Sequence, residues 1–142
     1  MSGPALRKAD SHHLIHLAAA GEGTDLTMLA KSLLANGKME EASRALQALC
    51  EHWRESTLEH AREEEADWYL ELMENEDVKP IVLGFRRDHF LMERFVMEME
   101  HKLQEGESLD EVVMYAEGFL KLVQIHSDSE EKFLTQLEEG VW

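Results

Sequence analysis

The sequence predicts an all-α protein, an up-down-up-down antiparallel bundle of four helices. Three observations lead there. Apolar residues recur three and four apart along most of the 142-residue chain, the period of a helix with one buried face. Proline is confined to Pro4 and Pro80, so little interrupts that period. Turn chemistry gathers at Asn36-Gly37, at Asp77 to Pro80 and at Gly106, which divides the chain into four segments joined by short connections.

Each segment has its own signature. Asp10-Ser11 can cap a first helix that starts near His12 and carries Ile15, Ala19, Leu26, Leu29 and Leu33 inward, with Asn36-Gly37 ending it. Gly21 and Gly23 interrupt that stripe and predict a break or bulge, with Thr24 capping a second helical segment. The second helix runs from about Met39 to Asn75, with Leu46, Cys50, Trp53, Thr57, His60, Glu64 and Trp68 on its inner face. The third, from about Ile81 to Gln104, turns Phe85, His89, Met92 with Glu93, Val96, Met99 and Leu103 inward. The fourth opens on Ser108-Leu-Asp-Glu111, a capping box. It continues through Val112, Tyr115, Phe119, Leu122, His126, Glu130, Phe133 and Leu137. Neither a repeat nor a linker divides the sequence, so one domain over residues 1–142 is expected.

Composition narrows the function classes. With 30 acidic and 14 basic residues the net charge is −16. Such a chain lacks the basic patch that neutralises phosphates, so neither nucleic acid nor an anionic membrane is an expected partner. No apolar run reaches the roughly 20 residues of a membrane span, and the first residues lack the apolar core of a signal peptide. Cys50 is the sole cysteine, which fits a reducing compartment and predicts the cytoplasm. The pattern does not define an oligomeric state.

The chemistry lies in histidine. His60 and Glu64, His89 and Glu93, and His126 and Glu130 are three pairs spaced four apart, each one helical turn on one face. All fall on inner stripes, where an uncompensated carboxylate is costly. A cation is the simplest compensation, and imidazole with carboxylate suits iron, manganese or zinc. Residues equally far from a turn lie level in an antiparallel hairpin. About Gly37, His60 and Glu64 fall beside His12 and His13; about Gly106, His89 falls within a turn of His126. All four helices thus bring a histidine to one layer, the construction of di-iron and di-manganese bundles. On the first helix His12 shares the apolar stripe and is preferred over His16, one turn along. His13 points toward the side of Lys31 and is the least favoured of the three. His52 and His101 fall off the stripes and read as surface residues, and Glu63 and Glu65 read as solvated neighbours of Glu64 that reach the metal only if the helix rotates. Cys50 reads as a small packed residue.

This ordered set resembles that of the hemerythrin-like (HHE cation-binding) domains, four-helix bundles with a non-haem di-iron centre. The order His, His-xxx-Glu, His, His-xxx-Glu matches His12 or His16, then His60 and Glu64, His89, and His126 with Glu130, over essentially the whole chain. Oxygen-carrying members have a second His four residues after the third-helix ligand and an Asp five residues after the fourth-helix His. Here those positions are Glu93 and Glu131, and Glu130 occupies the four-residue slot. The sequence is therefore closer to the His-poorer branch, which includes iron-sulfur-cluster repair proteins, the iron-sensing domain of an F-box ubiquitin-ligase subunit and mycobacterial hemerythrin-like proteins. The Cys-bearing N-terminal segment of the repair proteins has no counterpart before His12.

The resemblance implies two irons per chain with an oxo or hydroxo bridge, manganese or zinc being able to substitute. It implies that Glu64 and Glu130 bridge the irons and that each His is terminal. Glu93 is then an additional ligand or an acceptor for a ligand N–H. The implied function is binding of, or reaction with, a small diatomic or peroxide (O2, NO or H2O2), or the sensing and handling of iron. A metal-stabilised sensor or interaction module without turnover is the alternative, with Val141-Trp142 as part of its contact surface.

Overall fold

Helix dominates the structure, a computed structural model that describes residues 9–142. Six helices follow in order: α1 (Ala9–Ala35), α2 (Met39–Glu55), α3 (Thr57–Ala66), α4 (Trp68–Leu72), α5 (Lys79–Gln104) and α6 (Leu109–Glu138). No strand occurs among the described residues. The long helix α1 packs against α2 and α6, and α5 packs against α6, α2 and α3. No helix among the described residues is long and apolar enough to cross a membrane.

The turns explain most boundaries. Gly37 and Gly106 adopt φ of 73° and 68°, left-handed values that a side chain disfavours, so α1 and α5 end where glycine allows the chain to reverse. Pro80 stands in the first turn of α5, where its missing N–H costs nothing. Ser108 does precede α6, but its hydroxyl makes no capping hydrogen bond. The predicted capping box thus marks the start without making the bond.

Two expectations are corrected in α1. The helix is already formed at Ala9, so Asp10-Ser11 lie inside it rather than capping it. Gly21 and Gly23 do not break it either. Gly23 is the contact point for Trp53, whose ring atom Cη2 would lie 2.0 Å from a Cβ placed there. The buried line of α1 is accordingly His12, Gly23, Thr27 and Ala30, while Leu29 of the predicted stripe is exposed.

The expected second helix is interrupted instead. At Ser56 (φ −111°, ψ −83°) and Asp67 (φ −130°, ψ −82°) the backbone leaves helical values, isolating the ten residues of α3. His60 N–H still donates to the Ser56 carbonyl at 2.9 Å, so the chain continues in the same direction while its side chains are re-aimed. Local departures of this kind in a long helix often accompany functional residues.

Two apolar clusters fill the interior. One contains Leu46, Trp53, Leu58, Met92, Val96, Phe119 and Val123, among others. The second contains Trp68, Tyr69, Val82, Phe85, Phe133 and Leu134. On α5, His89 lies between Phe85 and Met92; on α6, His126 and Glu130 lie between Val123 and Phe133. A polar layer therefore separates two apolar ones, and the functional residues sit in it.

Candidate metal centre

The polar layer contains two convergent sets of donors. His12, His16, His60 and Glu130 form the first, and Glu64, His89, His126 and Glu130 the second. Within each set one donor atom per residue lies within 4.8 Å of all the others. Donors roughly 2 Å from a shared ion stand at most about 4 Å apart, so small side-chain movements would close each set on an ion. His12, Glu64, His89, His126 and Glu130 are all buried.

Both carboxylates straddle the two sets. Glu64 Oε2 faces the first, 3.0 Å from His12 Nε2 and 3.5 Å from His60 Nε2, while its Oε1 lies 3.4 Å from His89 Nε2. Glu130 does the same in reverse: Oε1 contacts His12 Nε2 and lies 3.6 Å from His16 Nε2. Its Oε2 accepts a hydrogen bond from the Tyr69 hydroxyl and lies 3.6 Å from His126 Nε2. One oxygen of each carboxylate thus serves each set.

The imidazoles are oriented from behind. His89 Nδ1 donates to Glu65 Oε2 at 2.8 Å, His126 Nδ1 to Asp88 Oδ2 at 2.8 Å, and His16 Nδ1 to Glu131 Oε2 at 2.9 Å. A proton committed to Nδ1 leaves the Nε2 lone pair facing inward, the arrangement of metal-bound histidine. Inward-facing nitrogens then crowd one another, with His12 and His60 Nε2 3.3 Å apart and His89 and His126 Nε2 also 3.3 Å apart. Tyr69 stacks on the His89 ring, with centroids 5.4 Å apart and planes 8° from parallel.

Electrostatics describe the same centre filled with protons. Burial works to lower the His12 and His126 pKa. Neighbouring carboxylates overrule it and raise both to about 10: Glu130 and Glu64 for His12, Asp88 and Glu130 for His126. His60 is pushed down to about 3 by burial and by the charge of His12. Burial and the Glu130 charge raise Glu64, whereas Glu130, despite its burial, is held well below the usual carboxylate range by His12 and His126.

The donor chemistry fits a pair of divalent transition-metal ions. Both Glu64 oxygens are buried without a well-formed hydrogen bond. Their polar neighbours are the imidazole nitrogens of His12, His60 and His89 at 3.0, 3.5 and 3.4 Å, and a cation would satisfy these oxygens and nitrogens together. The donors are imidazole nitrogens and carboxylate oxygens without thiolate, which suits iron, manganese or zinc. Cys50 is packed in the larger apolar cluster.

Seven of the eight expected residues come together: His12, His16, His60, Glu64, His89, His126 and Glu130. The choice between His12 and His16 does not arise, because both face the first set. Glu93 is placed elsewhere. Arg54 donates to it at 3.1 Å while also pairing with Glu100. On α5 the residue three positions after His89, Met92, is the one fully turned inward.

Other expectations also change. Glu65 is the acceptor for His89 rather than a solvated neighbour, Glu131, to which no role was assigned, is the acceptor for His16, and Asp88 and Tyr69 escaped sequence reasoning. The available signal was adjacency: Glu65, Asp88 and Glu131 each flank an inward residue and reach a histidine of another helix. His52 is largely buried rather than on the surface, pairing with Glu22 at 3.3 Å and with the Ala19 carbonyl at 2.8 Å. His13 remains exposed and contacts Glu131.

Comparison with known proteins returned no matching family model, no matching curated protein and no matching solved structure.

Proposed function

We propose that this chain is a non-haem di-iron protein of hemerythrin-like type, an up-down-up-down four-helix bundle that reacts with a small oxidant or diatomic such as O2, NO or H2O2. In this reading α2, α3 and α4 together form the second helix of the bundle. The observation that carries the proposal is the pair of carboxylates, Glu64 and Glu130, each presenting one oxygen to each of two histidine sets. Such sharing has little use for one ion and suits two held a few ångströms apart.

His12, His16 and His60 would hold one metal, His89 and His126 the other. When bound, an iron pair supplies the electrons that a small oxidant accepts. Glu65, Asp88 and Glu131 keep the Nδ1 protons in place and so fix the rings. The Tyr69 hydroxyl, donating to Glu130 Oε2, orients that carboxylate. A cavity of about 480 Å³, lined by His16, His60, Glu64, His89 and His126, supports reaction with an external molecule over a purely structural metal, whose site is typically closed.

A second reading, a metal-stabilised sensor without turnover, is favoured by α3. This ten-residue helix with irregular backbone at both ends carries His60 and Glu64, so metal would fix its placement. One experiment separates the two. Protein loaded anaerobically with ferrous iron is exposed in turn to NO, O2 and H2O2, and its visible spectrum is followed beside a zinc-loaded control. The proposal expects a response in the iron protein alone. No response to any of the three, together with a lower thermal midpoint after chelation, would favour the sensor.

A further inference from the structure

The cavity that reaches the metal centre has a pronounced charge pattern. Five glutamates line it (Glu22, Glu55, Glu59, Glu63 and Glu64) with five histidines and neither lysine nor arginine. At its mouth Glu59 pairs with Arg62 at 2.8 Å and Glu22 with His52 at 3.3 Å, so acidic groups stay in excess of the one arginine that reaches them. Glu22, Glu55 and Glu59 are exposed at its outer end, and Glu64 is fully buried at its inner end. Between them the wall is formed in part by Ile15, Ala19, Met92 and Val123. Apolar walls concentrate the field of charged groups along such a cleft.

The inner end is what turns an acidic surface into a route. Both Glu64 oxygens are buried without a well-formed hydrogen bond, and this residue lines the cavity. A second cleft also reaches His89, but three arginines (Arg62, Arg86 and Arg87) outnumber the two glutamates (Glu65 and Glu93) that line it. Of the two clefts, the first is the one suited to positive charge.

We propose that this cavity is the loading route for divalent cations, with Glu22, Glu55 and Glu59 drawing the ion to its mouth and Glu64 receiving it at the centre. The inference rests on the two-metal reading of the site.

Stopped-flow mixing of the metal-free full chain with cobalt(II), followed by visible absorption, tests the route. Wild-type uptake should be fast at low ionic strength and slow as salt is added, because screening shortens the reach of the mouth charges. The triple variant Glu22→Gln, Glu55→Gln, Glu59→Gln should load about tenfold more slowly at low salt, the lower end of electrostatic steering, with a flatter salt dependence. Its final cobalt content should match the wild type. A control with the same change in charge away from the cavity, Glu40→Gln, Glu74→Gln, Glu76→Gln, should load at the wild-type rate.

Equal rates for the wild type and the mouth variant would overturn the route while leaving the metal centre intact. Equal slowing by the control would overturn it too, by assigning the effect to net charge. A wild type that takes up no cobalt at equilibrium overturns the metal centre and the route together. Should the triple variant fail to fold, Glu22→Gln and Glu59→Gln, each on an exposed side chain, carry the same test singly, with partial slowing expected from each.

Discussion

Replacing Glu130 with Gln is expected to abolish retention of both metals. The substitution preserves volume in a site with no exposed surface but removes the anionic oxygens that face His12 and His16 on one side and His126 on the other. The affinity loss at each site should exceed the roughly 10–100-fold loss typical of removing a supporting group. His89→Ala provides the contrast. His89 belongs only to the second set, so this variant should keep the metal held by His12, His16 and His60. Elemental analysis after desalting, with circular dichroism to establish folding, reads both results. Two metals retained by Glu130→Gln would contradict the shared-carboxylate geometry.

The second large effect is on pH. In the metal-free fold His12 and His126 have pKa values raised from 6.5 to about 10. The stability they contribute is therefore fully present below about 6.5 and is lost as pH rises through about 10. Metal binding reverses the sign, because a ligating Nε2 must first give up that proton. Affinity should therefore rise with pH across this window, by about tenfold per pH unit for each proton displaced. His60, lowered to about 3, has no proton to release near neutrality and adds nothing to the slope. Competition with a chelator of known pH dependence, repeated between about pH 6.5 and 9, measures it. An affinity flat over that range would contradict the protonated metal-free centre.

Much of the site was legible because helical period and ligand spacing coincide. His126 and Glu130 both lie on the buried stripe of α6, and Glu64 ends that of α3 with His60 at its edge, its side chain 11% exposed, so a spacing of four brings both residues of each pair to the centre. On α5 the buried line runs through His89, Met92, Val96 and Met99, which leaves Glu93 on the flank, within reach of Arg54. The same spacing thus had a different meaning on a helix turned slightly otherwise.

The acceptors Glu65, Asp88 and Glu131 were harder to find. Each joins a histidine on another helix, and in an acidic chain a single carboxylate beside a ligand looks like ordinary solvated charge. The breaks at Ser56 and Asp67 carry neither Gly nor Pro to mark them. Gly23 was misleading in the opposite sense. It looked like a helix breaker, but the aromatic ring that requires it is Trp53, on a different helix.

The most direct measurement is an anaerobic titration of the metal-free wild-type chain with ferrous iron, then desalting and elemental analysis. Two histidine sets sharing Glu64 and Glu130 predict about two irons per chain, the stoichiometry of a bundle with facing inward ligands. No retained iron, or a single ion whose binding survives both Glu64→Gln and Glu130→Gln, would contradict the account.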